Sequence, residues 1–309
     1  MDKNARIYVS GHTGMVGSAV VRTLQESGCQ NLILRTSKEL DLRIQDKVDR
    51  FMRTVVPEYV FLFAAKVGGI KVNMDFPAEF LYDNIMIEAN LIHASYKYKV
   101  KKLLYLGSSC MYPRECPQPM KERYLLTGKV EPTNEGYAIA KIVGVKLCEY
   151  YNKQYRTNFI SLIPPNLYGP NDNFDLDSSH VIAALLRKFH EAKISKKQEL
   201  RIWGSGKARR EFLHVNDLAR GCAYFMNAYD RNEFINIGRG EDISIAELAR
   251  LIKDIAGYQG NIVFDESMAD GMPQKCLDVS RLRELDWEAK INLRDGIKMT
   301  YEWYCKNYG

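Results

Sequence analysis

The 309-residue sequence contains no apolar run of the about 18 residues that a membrane-spanning helix requires. Its first six residues include no apolar stretch of the kind found in a signal peptide. Long basic runs are also missing, and the richest one, residues 193–197, is short. The formal net charge of +6 is therefore too diffuse to indicate nucleic acid and suits a small anionic ligand. We expect a cytoplasmic protein with no membrane or nucleic-acid partner.

Cysteine pairs with the spacing of metal ligands are absent as well. The seven cysteines are odd in number and scattered, so they indicate neither a disulfide framework nor a zinc site. Internal repeats and low-complexity tracts are lacking. A composition of 46% hydrophobic and 27% charged residues is typical of globular proteins. We therefore expect a globular protein without a metal site.

What the sequence does contain is a regular alternation of apolar strands and helical segments. Predicted strands lie at residues 6–10, 31–35, 59–63, 102–107, 158–163 and 233–237. Predicted helices lie at residues 15–27, 44–55 and 80–98. This order predicts an α/β fold with a doubly wound parallel sheet of the Rossmann type, covered by helices on both faces.

Two later segments are less regular and contain loops, shorter helices and most of the tryptophans. We interpret these segments as a second, smaller α/β lobe. The predicted larger domain comprises residues 1–168 and 213–239, and the predicted lobe comprises residues 169–212 and 240–309.

A glycine-rich turn, Gly11-His12-Thr13-Gly14-Met15-Val16-Gly17, joins the first predicted strand to the first predicted helix. Glycine permits the tight turn and lets the backbone approach a pyrophosphate, while the helix N-terminus supplies free N–H groups. A glycine motif alone is weak evidence, but this one has the required strand–turn–helix context. It predicts dinucleotide binding rather than a structural loop.

The end of the second predicted strand indicates which dinucleotide is bound. It reads Leu34-Arg35-Thr36-Ser37-Lys38, with no acid before Glu39. NAD sites place an acid here against the adenosine ribose, and NADP sites place basic groups. Arg35 and Lys38 therefore favour NADP(H), although cations at such positions are often simply solvated.

Tyr137 and Lys141 form a Tyr-x-x-x-Lys motif, whose two members share one face of a helix. A phenol with a pKa of about 10 is a poor acid–base group at neutral pH, and a neighbouring ammonium lowers that pKa. Ser108 follows the fourth predicted strand, at the sheet edge where ligands bind, and can donate to a reacting carbonyl oxygen. Each feature alone has a commoner structural explanation, but their combination after the glycine turn indicates carbonyl reduction.

The chain resembles the extended short-chain dehydrogenases/reductases over nearly its whole length, and within them it is similar to the GDP-L-fucose synthase family. Besides the glycine turn, the resemblance is carried by residues 107–113, 131–141, 166–170, 179–182, 203–206, 210–215 and 275–282. It implies an NADP-dependent enzyme that epimerises and reduces a GDP-4-keto-6-deoxy sugar. It also implies a homodimer, in which the larger domain binds the dinucleotide and the smaller lobe binds the GDP-sugar.

By this resemblance Ser108, Tyr137 and Lys141 are the reductase triad, and Cys110 and His180 epimerise carbons 3 and 5. The residue types suit the chemistry, because a 4-keto group acidifies those carbons and because thiol and imidazole pKa values, about 8.5 and 6.5, lie near neutrality. The implied substrate-binding residues are Lys188, Trp203, Arg210 and Lys275. The implied cofactor-binding residues are Gly11, Thr13, Gly14, Met15, Val16, Gly17, Arg35, Ser37, Lys38, Ala64, Ala65, Lys141, Pro164, Asn166, Leu167 and His180.

The sequence departs from the family pattern at three positions. Thr13 and Ser37 stand where the family places arginines against the NADP 2′-phosphate, so that Arg35 and Lys38 would have to replace them. Gln274 stands where an arginine commonly precedes the matching lysine, which bears on the identity of the GDP-sugar.

Three other functions are compatible with a dinucleotide-binding fold of this kind. A C4-reductase of a related GDP-4-keto-6-deoxy-heptose or hexose, with partial or no epimerase activity, stays open, since Cys110 and His180 do not prove that both carbons invert. A 4,6-dehydratase is disfavoured because such enzymes carry an Asp-Glu pair where Ser109 and Cys110 stand. A non-catalytic dinucleotide-binding regulator is disfavoured by the intact triad.

Overall fold

The structure is a computed structural model that describes residues 1–176, 178–267 and 271–309. In chain order its strands are β1 (Ile7–Ser10), β2 (Leu32–Ile33), β3 (Tyr59–Leu62), β4 (Lys102–Leu106), β5 (Phe159–Ile163), β6 (Asn166–Tyr168), β7 (Glu199–Trp203), β8 (Arg209–His214), β9 (Ile235–Asn236), β10 (Asp242–Ser244), β11 (Asn261–Asp265) and β12 (Gln274–Lys275). Its helices are α1 (Met15–Glu26), α2 (Gln45–Val55), α3 (Ile70–Asp75), α4 (Pro77–Lys97), α5 (Glu135–Tyr155), α6 (Val181–Ile194), α7 (Val215–Ala228), α8 (Ile245–Ala256), α9 (Ser280–Glu284) and α10 (Leu293–Tyr308).

The main sheet within the described residues has six parallel strands in the order β2-β1-β3-β4-β5-β9. Strands β1, β4 and β5 are buried along their whole length, which explains their unbroken apolar sequences. The predicted α/β fold with a large parallel sheet is confirmed. The edge strands β2 and β9 are two residues each, shorter than predicted, since each pairs with one neighbour only.

Helices pack around this sheet in two groups, with α2, α4 and α5 in one and α1 and α7 in the other. The long helix α4 begins with Pro77 in its first turn, where the missing N–H of proline costs no helical hydrogen bond. The strand order reverses between β1 and β3, so their carboxyl ends open the crevice in which such sheets bind ligands.

A second apolar core lies under a smaller group of strands, in which β8 pairs with β6, β10 and β12, and β7 pairs with β11. Helices α6, α8 and α10 pack on these strands. A capping box of Ser244 and Glu247 starts α8, and Gly257 ends it at a φ of 70°. We predicted an α/β lobe with loops and shorter helices for these segments and assigned none of its individual strands. The domain boundaries themselves stay a prediction.

None of the helices in the described part of the chain combines the length and the apolar character that a membrane crossing requires. Among the same residues, no group of three or more His, Cys, Asp or Glu side chains could hold a metal ion.

Candidate active site

The glycine turn forms a narrow cradle between β1 and α1. Gly11 has a φ of 70°, and a Cβ there would lie 2.9 Å from the Ala64 nitrogen. A Cβ on Gly17 would lie 2.2 Å from the Gly11 oxygen. Gly14 caps α1 without a side-chain hydrogen bond, which leaves the first N–H groups of the helix for a ligand. The residues present therefore fit a pyrophosphate of a dinucleotide.

The hydroxyl of Ser10 joins this cradle to the end of β3. Ser10 Oγ donates to the Phe61 carbonyl at 3.2 Å and accepts from the N–H groups of Phe63 and Ala64 at 3.1 and 3.2 Å. The predicted cofactor residues Ala64 and Ala65 are thereby held beside the turn. Ser10 was not predicted as a site residue, although a serine at the end of the first predicted strand, directly before the glycine turn, was a usable signal.

The predicted 2′-phosphate residues lie at the surface after β2. Arg35 is exposed and donates to the Leu34 carbonyl at 2.8 Å, while Ser37 and Lys38 are exposed beside it. Thr13 is also exposed at the glycine turn. The structure thus leaves the positive charges of Arg35 and Lys38 accessible to an anion.

The first acid of this region is already engaged. The N–H and hydroxyl of Thr36 both donate to Glu39 Oε2 at 2.8 Å. These bonds, and then the nearby charges of Arg35 and His12, lower the pKa of Glu39. Its carboxylate is turned back on its own loop, which disfavours the ribose contact typical of NAD sites.

Lys141 is buried in α5 beneath Tyr137. Its Nζ donates to Glu88 Oε1 at 3.0 Å and to the Leu106 carbonyl at 3.1 Å, and it lies 5.9 Å from the centre of the Tyr137 ring. Only 4% of Lys141 is exposed. The helix therefore brings the two members of the motif together as predicted, and it adds a carboxylate that we did not predict.

The Tyr137 phenol differs from expectation in its acidity. Burial, followed by the negative charges of Cys110 and Glu88, raises its pKa above the ordinary value, and a hydrogen bond with Ser108 opposes the rise. We expected Lys141 to lower this pKa. The difference arises chiefly from burial of the phenol, and the Lys141 ammonium that was expected to oppose it is paired with Glu88.

Ser108 and Cys110 follow β4 on a single turn of 3₁₀ helix, Ser109–Met111. Ser108 Oγ accepts from the Cys110 N–H at 3.2 Å. The same serine forms hydrogen bonds that favour ionisation of both Tyr137 and the Cys110 thiol. Ser108, which is predicted for reduction, is therefore in direct contact with Cys110, which is predicted for epimerisation.

The Cys110 sulfur is held by two donors. Asn134 Nδ2 lies 3.1 Å from the sulfur, and Lys275 Nζ lies 3.2 Å from it. Burial opposes ionisation, but the Lys275 charge and the hydrogen bonds of Ser108, Lys275 and Asn134 outweigh it and lower the pKa of Cys110. These surroundings favour the thiolate form of Cys110, which can accept a proton.

His180 immediately precedes α6. The Gly69 N–H donates to the Ser178 carbonyl at 3.0 Å, which ties the segment before His180 to the loop after β3. Although His180 as a residue is exposed, the protein around its ring and then the Lys275 charge lower the pKa of the imidazole. Lys275 is therefore close enough to act on both members of the predicted epimerisation pair.

The predicted nicotinamide-side segment follows β5 directly. The Pro164 carbonyl accepts from the Ser109 N–H at 3.0 Å, which places the segment beside the 3₁₀ turn. Asn166 donates to the Glu211 carbonyl at 3.1 Å, and Leu167 pairs with β8. The predicted nicotinamide-side segment therefore lies beside the turn that carries Ser108 and Cys110.

The predicted substrate-binding residues lie on several elements of the smaller layer. Arg210 and Lys275 are register partners on β8 and β12. Lys188 is half-buried on α6, two turns beyond His180, and Trp203 ends β7 with 57% of its surface exposed. Among the described residues, no hydrogen bond or ion pair joins Lys188 or Trp203 to Lys275.

Three polar residues of this region were missed from the sequence. Asn134 lies in residues 131–141, which carry the family resemblance, but nothing in that segment marks it as a donor to sulfur. Glu88 lies on the face of α4 that is buried at Asn84 and Ile92, and a carboxylate at that spacing was a usable signal. Glu211 is fully buried and accepts from the N–H groups of residues 239, 240 and 277, so it ties β8 to the segment that carries Lys275.

Comparison with known proteins agrees with this geometry. Residues 7–238 match the model of the NAD dependent epimerase/dehydratase family. GDP-L-fucose synthase 1 of Arabidopsis thaliana is 51% identical, over 99% of this chain and 95% of that protein.

Solved structures from Campylobacter jejuni are also similar. A GDP-6-OMe-4-keto-L-xylo-heptose reductase shares 42% identity at a TM-score of 0.95, covering 99% of both chains. A GDP-mannoheptose C4 reductase with NADP bound shares 44% identity at a TM-score of 0.91, again covering 99% of both chains. Relatives and neighbours therefore include enzymes named for a fucose product and enzymes named for heptose substrates.

Proposed function

The chain belongs to the NAD dependent epimerase/dehydratase family, and we propose that it is an NADP-dependent oxidoreductase and isomerase. Its reaction is reduction of the 4-keto group of a GDP-4-keto-6-deoxy sugar, with epimerisation at carbons 3 and 5, as in the GDP-L-fucose synthases. The observation that carries this proposal is the grouping of Ser108, Tyr137 and Cys110. Ser108 Oγ accepts from the Cys110 N–H at 3.2 Å, and both Ser108 and Cys110 act on the pKa of the Tyr137 phenol. One bound sugar can therefore meet a proton donor for its ketone and a base for the neighbouring carbons.

In the reduction, the Tyr137 phenol donates its proton to the sugar's 4-oxygen, and Ser108 hydrogen-bonds that oxygen. NADPH, when bound, supplies the hydride that carbon 4 receives. Burial raises the pKa of Tyr137, so the phenol is protonated at neutral pH and holds the proton that the 4-oxygen receives. Lys141 lies one helical turn from Tyr137 in α5, with its Nζ 5.9 Å from the centre of the Tyr137 ring.

In the epimerisation, the Cys110 thiolate removes a proton from the carbon beside the ketone, and His180 delivers one to the opposite ring face. Lys275 favours the thiolate, and Asn134 orients the sulfur. The 4-keto group stabilises the resulting enolate, and Ser108 and Tyr137 are placed to hydrogen-bond its oxygen. The two activities thus share one set of oxygen contacts.

The binding residues proposed are those given by the sequence. The glycine turn, with Ala64 and Ala65, would hold the pyrophosphate, and Arg35 and Lys38 would hold the 2′-phosphate. Pro164, Asn166 and Leu167 would line the nicotinamide side. The GDP-sugar would contact Lys188, Trp203, Arg210 and Lys275.

The direct test is NADPH oxidation, followed by absorbance, with GDP-4-keto-6-deoxy-mannose as substrate. We expect stoichiometric consumption and a product inverted at carbons 3 and 5 by nuclear magnetic resonance. Absence of consumption with every 4-keto nucleotide sugar supplied would overturn the proposal and leave dinucleotide binding alone.

A second candidate is C4 reduction of a GDP-4-keto-heptose, which is favoured by the two heptose-reductase structures at TM-scores of 0.95 and 0.91. The same assay with paired hexose and heptose substrates separates the two candidates. If kcat/KM is at least about tenfold higher for the heptose, the second candidate replaces the first. That ratio corresponds to a difference of about 1.4 kcal/mol in transition-state binding.

We also propose a cytoplasmic homodimer that contacts through the solvent sides of α4 and α5. Large apolar side chains are exposed there at Tyr82, Ile139, Tyr150 and Tyr155. Light scattering should give twice the chain mass, and Tyr150→Glu should shift the population toward the monomer.

A further inference from the structure

Glu211 is a fully buried carboxylate on β8, outside the residues assigned above to catalysis or binding. Burial raises its pKa to about 7, the charge of Asp242 adds to the rise, and hydrogen bonds from the backbone oppose it. A carboxylate is costly to bury unless its oxygens are hydrogen-bonded. The partners that the structure gives it are three backbone N–H groups from two separate segments, which indicates a specific role for this side chain.

The two carboxylate oxygens divide these donors between them. Oε1 accepts from the N–H groups of Arg239 and Gly240 at 2.6 and 2.8 Å, and Oε2 accepts from the Leu277 N–H at 2.7 Å. Successive N–H groups that converge in this way form a concavity for an anion. Gly238 leaves the space for it, because a Cβ there would lie 2.2 Å from Oε1. We call the carboxylate and its three donors the Glu211 clasp.

The third donor lies on the segment that carries Lys275. Lys275 ends β12 and is the register partner of Arg210, the residue directly before Glu211 on β8. Leu277 lies two positions further on, so its bond to Glu211 continues the attachment of this segment to β8 beyond the end of the strand pair. The Lys275 ammonium lies 3.2 Å from the Cys110 sulfur. The clasp therefore fixes the backbone from which that ammonium reaches the thiol.

The charge of Glu211 is felt elsewhere. It raises the pKa of Cys276, which with Asp242 is the titratable group nearest to it. The pKa of Cys110 is instead set by burial, by the Lys275 charge and by hydrogen bonds that include those of Ser108 and Asn134. An effect of Glu211 on Cys110 is therefore expected through the position of Lys275.

We propose that Glu211 is a positioning residue, whose carboxylate fixes the segment after β12 and thereby holds the Lys275 ammonium against the Cys110 sulfur in favour of the thiolate. This inference deepens the proposed function and rests on it in giving the thiolate the role of a base. The link from Glu211 through Lys275 to the state of the thiol can be tested without any substrate.

The test is Glu211→Gln. A carboxylamide has one accepting oxygen, so if that oxygen keeps the two donors of residues 239 and 240, the NH₂ group faces the Leu277 N–H and releases it. We expect alkylation of Cys110 by iodoacetamide at neutral pH to slow by about fivefold, because only the thiolate reacts. Peptide mass spectrometry measures the rate, with Cys29 as the internal reference.

The matched control is Asp217→Asn in α7. Asp217 is another fully buried carboxylate, which pairs with Arg220 and accepts from the Ile291 N–H at 2.8 Å. This variant should leave the alkylation rate of Cys110 unchanged, even where it lowers the melting temperature.

A second variant disturbs the clasp without removing its charge. Gly238→Ala places a methyl group against Glu211 Oε1 and should slow the alkylation in the same direction. Its control is Gly260→Ala, where the Cβ would lie 2.1 Å from the Tyr258 hydroxyl in the second core. Gly260→Ala should leave the alkylation rate unchanged.

A double-mutant cycle shows whether Glu211 acts through Lys275. Glu211→Gln introduced into Lys275→Met should alkylate at the rate of Lys275→Met alone. A second readout is deuterium exchange at carbons 3 and 5 of the 4-keto sugar, whose acid limb should move to higher pH in Glu211→Gln. If the proposed substrate is wrong, only this second readout is lost, so the two failures are distinguishable.

Two results would overturn the proposal. The first is a wild-type alkylation rate of Cys110 in folded Glu211→Gln, or in Gly238→Ala should Glu211→Gln fail to fold. The second is a slowing by Glu211→Gln that persists in the Lys275→Met background, which would show that Glu211 does not act through the ammonium.

Discussion

Two lysines on opposite sides of the candidate site have opposite electrostatic surroundings. Lys141, on the reduction side, is buried and paired with the Glu88 carboxylate. Lys275, on the epimerisation side, is half-buried, and no carboxylate of the described residues pairs with it; its ammonium lies 3.2 Å from the Cys110 sulfur. The carboxylate beside Lys141 balances its charge, whereas the charge of Lys275 lowers the pKa of the neighbouring thiol.

The protonation states that result are those that each half-reaction requires. The Tyr137 phenol is protonated at neutral pH and can donate, and the lowered pKa of Cys110 favours the thiolate, which can act as a base. Lys275 also adds to burial in lowering the pKa of His180. The comparison teaches that the same side-chain type serves two chemistries according to whether a carboxylate lies beside it.

The largest expected effect is on the reduction side. Tyr137→Phe removes the only proton that we assign to the sugar oxygen, so reduction should fall by about 10³-fold, within the range of a lost general acid. NADPH affinity, measured by fluorescence titration, should be retained. Tyr258→Phe is the control, because the Tyr258 hydroxyl is buried without a partner in the second core. Substantial reduction of the substrate by Tyr137→Phe would show that Tyr137 is not the proton donor.

The next largest effect is on the epimerisation side. Cys110→Ser replaces a thiolate by a weakly acidic hydroxyl, so deuterium entry from solvent at carbons 3 and 5 should fall by about 10²-fold. Mass spectrometry of the recovered sugar measures it. Cys222→Ser, a buried cysteine in α7, serves as the control. Exchange at the wild-type rate would show that Cys110 is not the base.

Lys275→Met tests the difference between Lys141 and Lys275 most directly. Loss of the ammonium should raise the pKa of Cys110, so the acid limb of the exchange reaction should move to higher pH. Alkylation of Cys110 by iodoacetamide at neutral pH should slow by about tenfold, because only the thiolate reacts. Peptide mass spectrometry resolves the site, with Cys29 as the internal reference and Lys146→Met as the control variant. An unchanged alkylation rate would mean that Lys275 does not activate the thiol.

The smallest effect is expected where cations are exposed and far from the reacting carbon. Arg35→Ala with Lys38→Ala should lower the preference for NADPH over NADH by about three- to fivefold, in keeping with the modest strength of exposed charge contacts. The ratio of kcat/KM for the two cofactors measures it. Lys47→Ala, on α2, is the control, and an unchanged ratio would exclude Arg35 and Lys38 as the 2′-phosphate contacts.

Some strands of the fold could be predicted from the sequence and others could not. The apolar strands β1, β4 and β5 were predictable because a strand that is buried on both faces has an unbroken hydrophobic sequence. The edge strands and the strands of the smaller layer were not predictable, since half-buried positions allow polar residues and blur the pattern.

By itself, the sequence determined the local chemistry: the glycine turn, the Tyr137–Lys141 spacing on one helical face, and the strand-end serine and cysteine. These signals are local because helix and strand periods place neighbouring residues together. Only the tertiary structure decided which charges meet. Glu88 reaches Lys141 from another helix, and Lys275 reaches Cys110 from 165 positions away along the chain. Acidity depends on such distant neighbours and on burial, so the sequence named the acid and the base, and the fold decided how each is protonated.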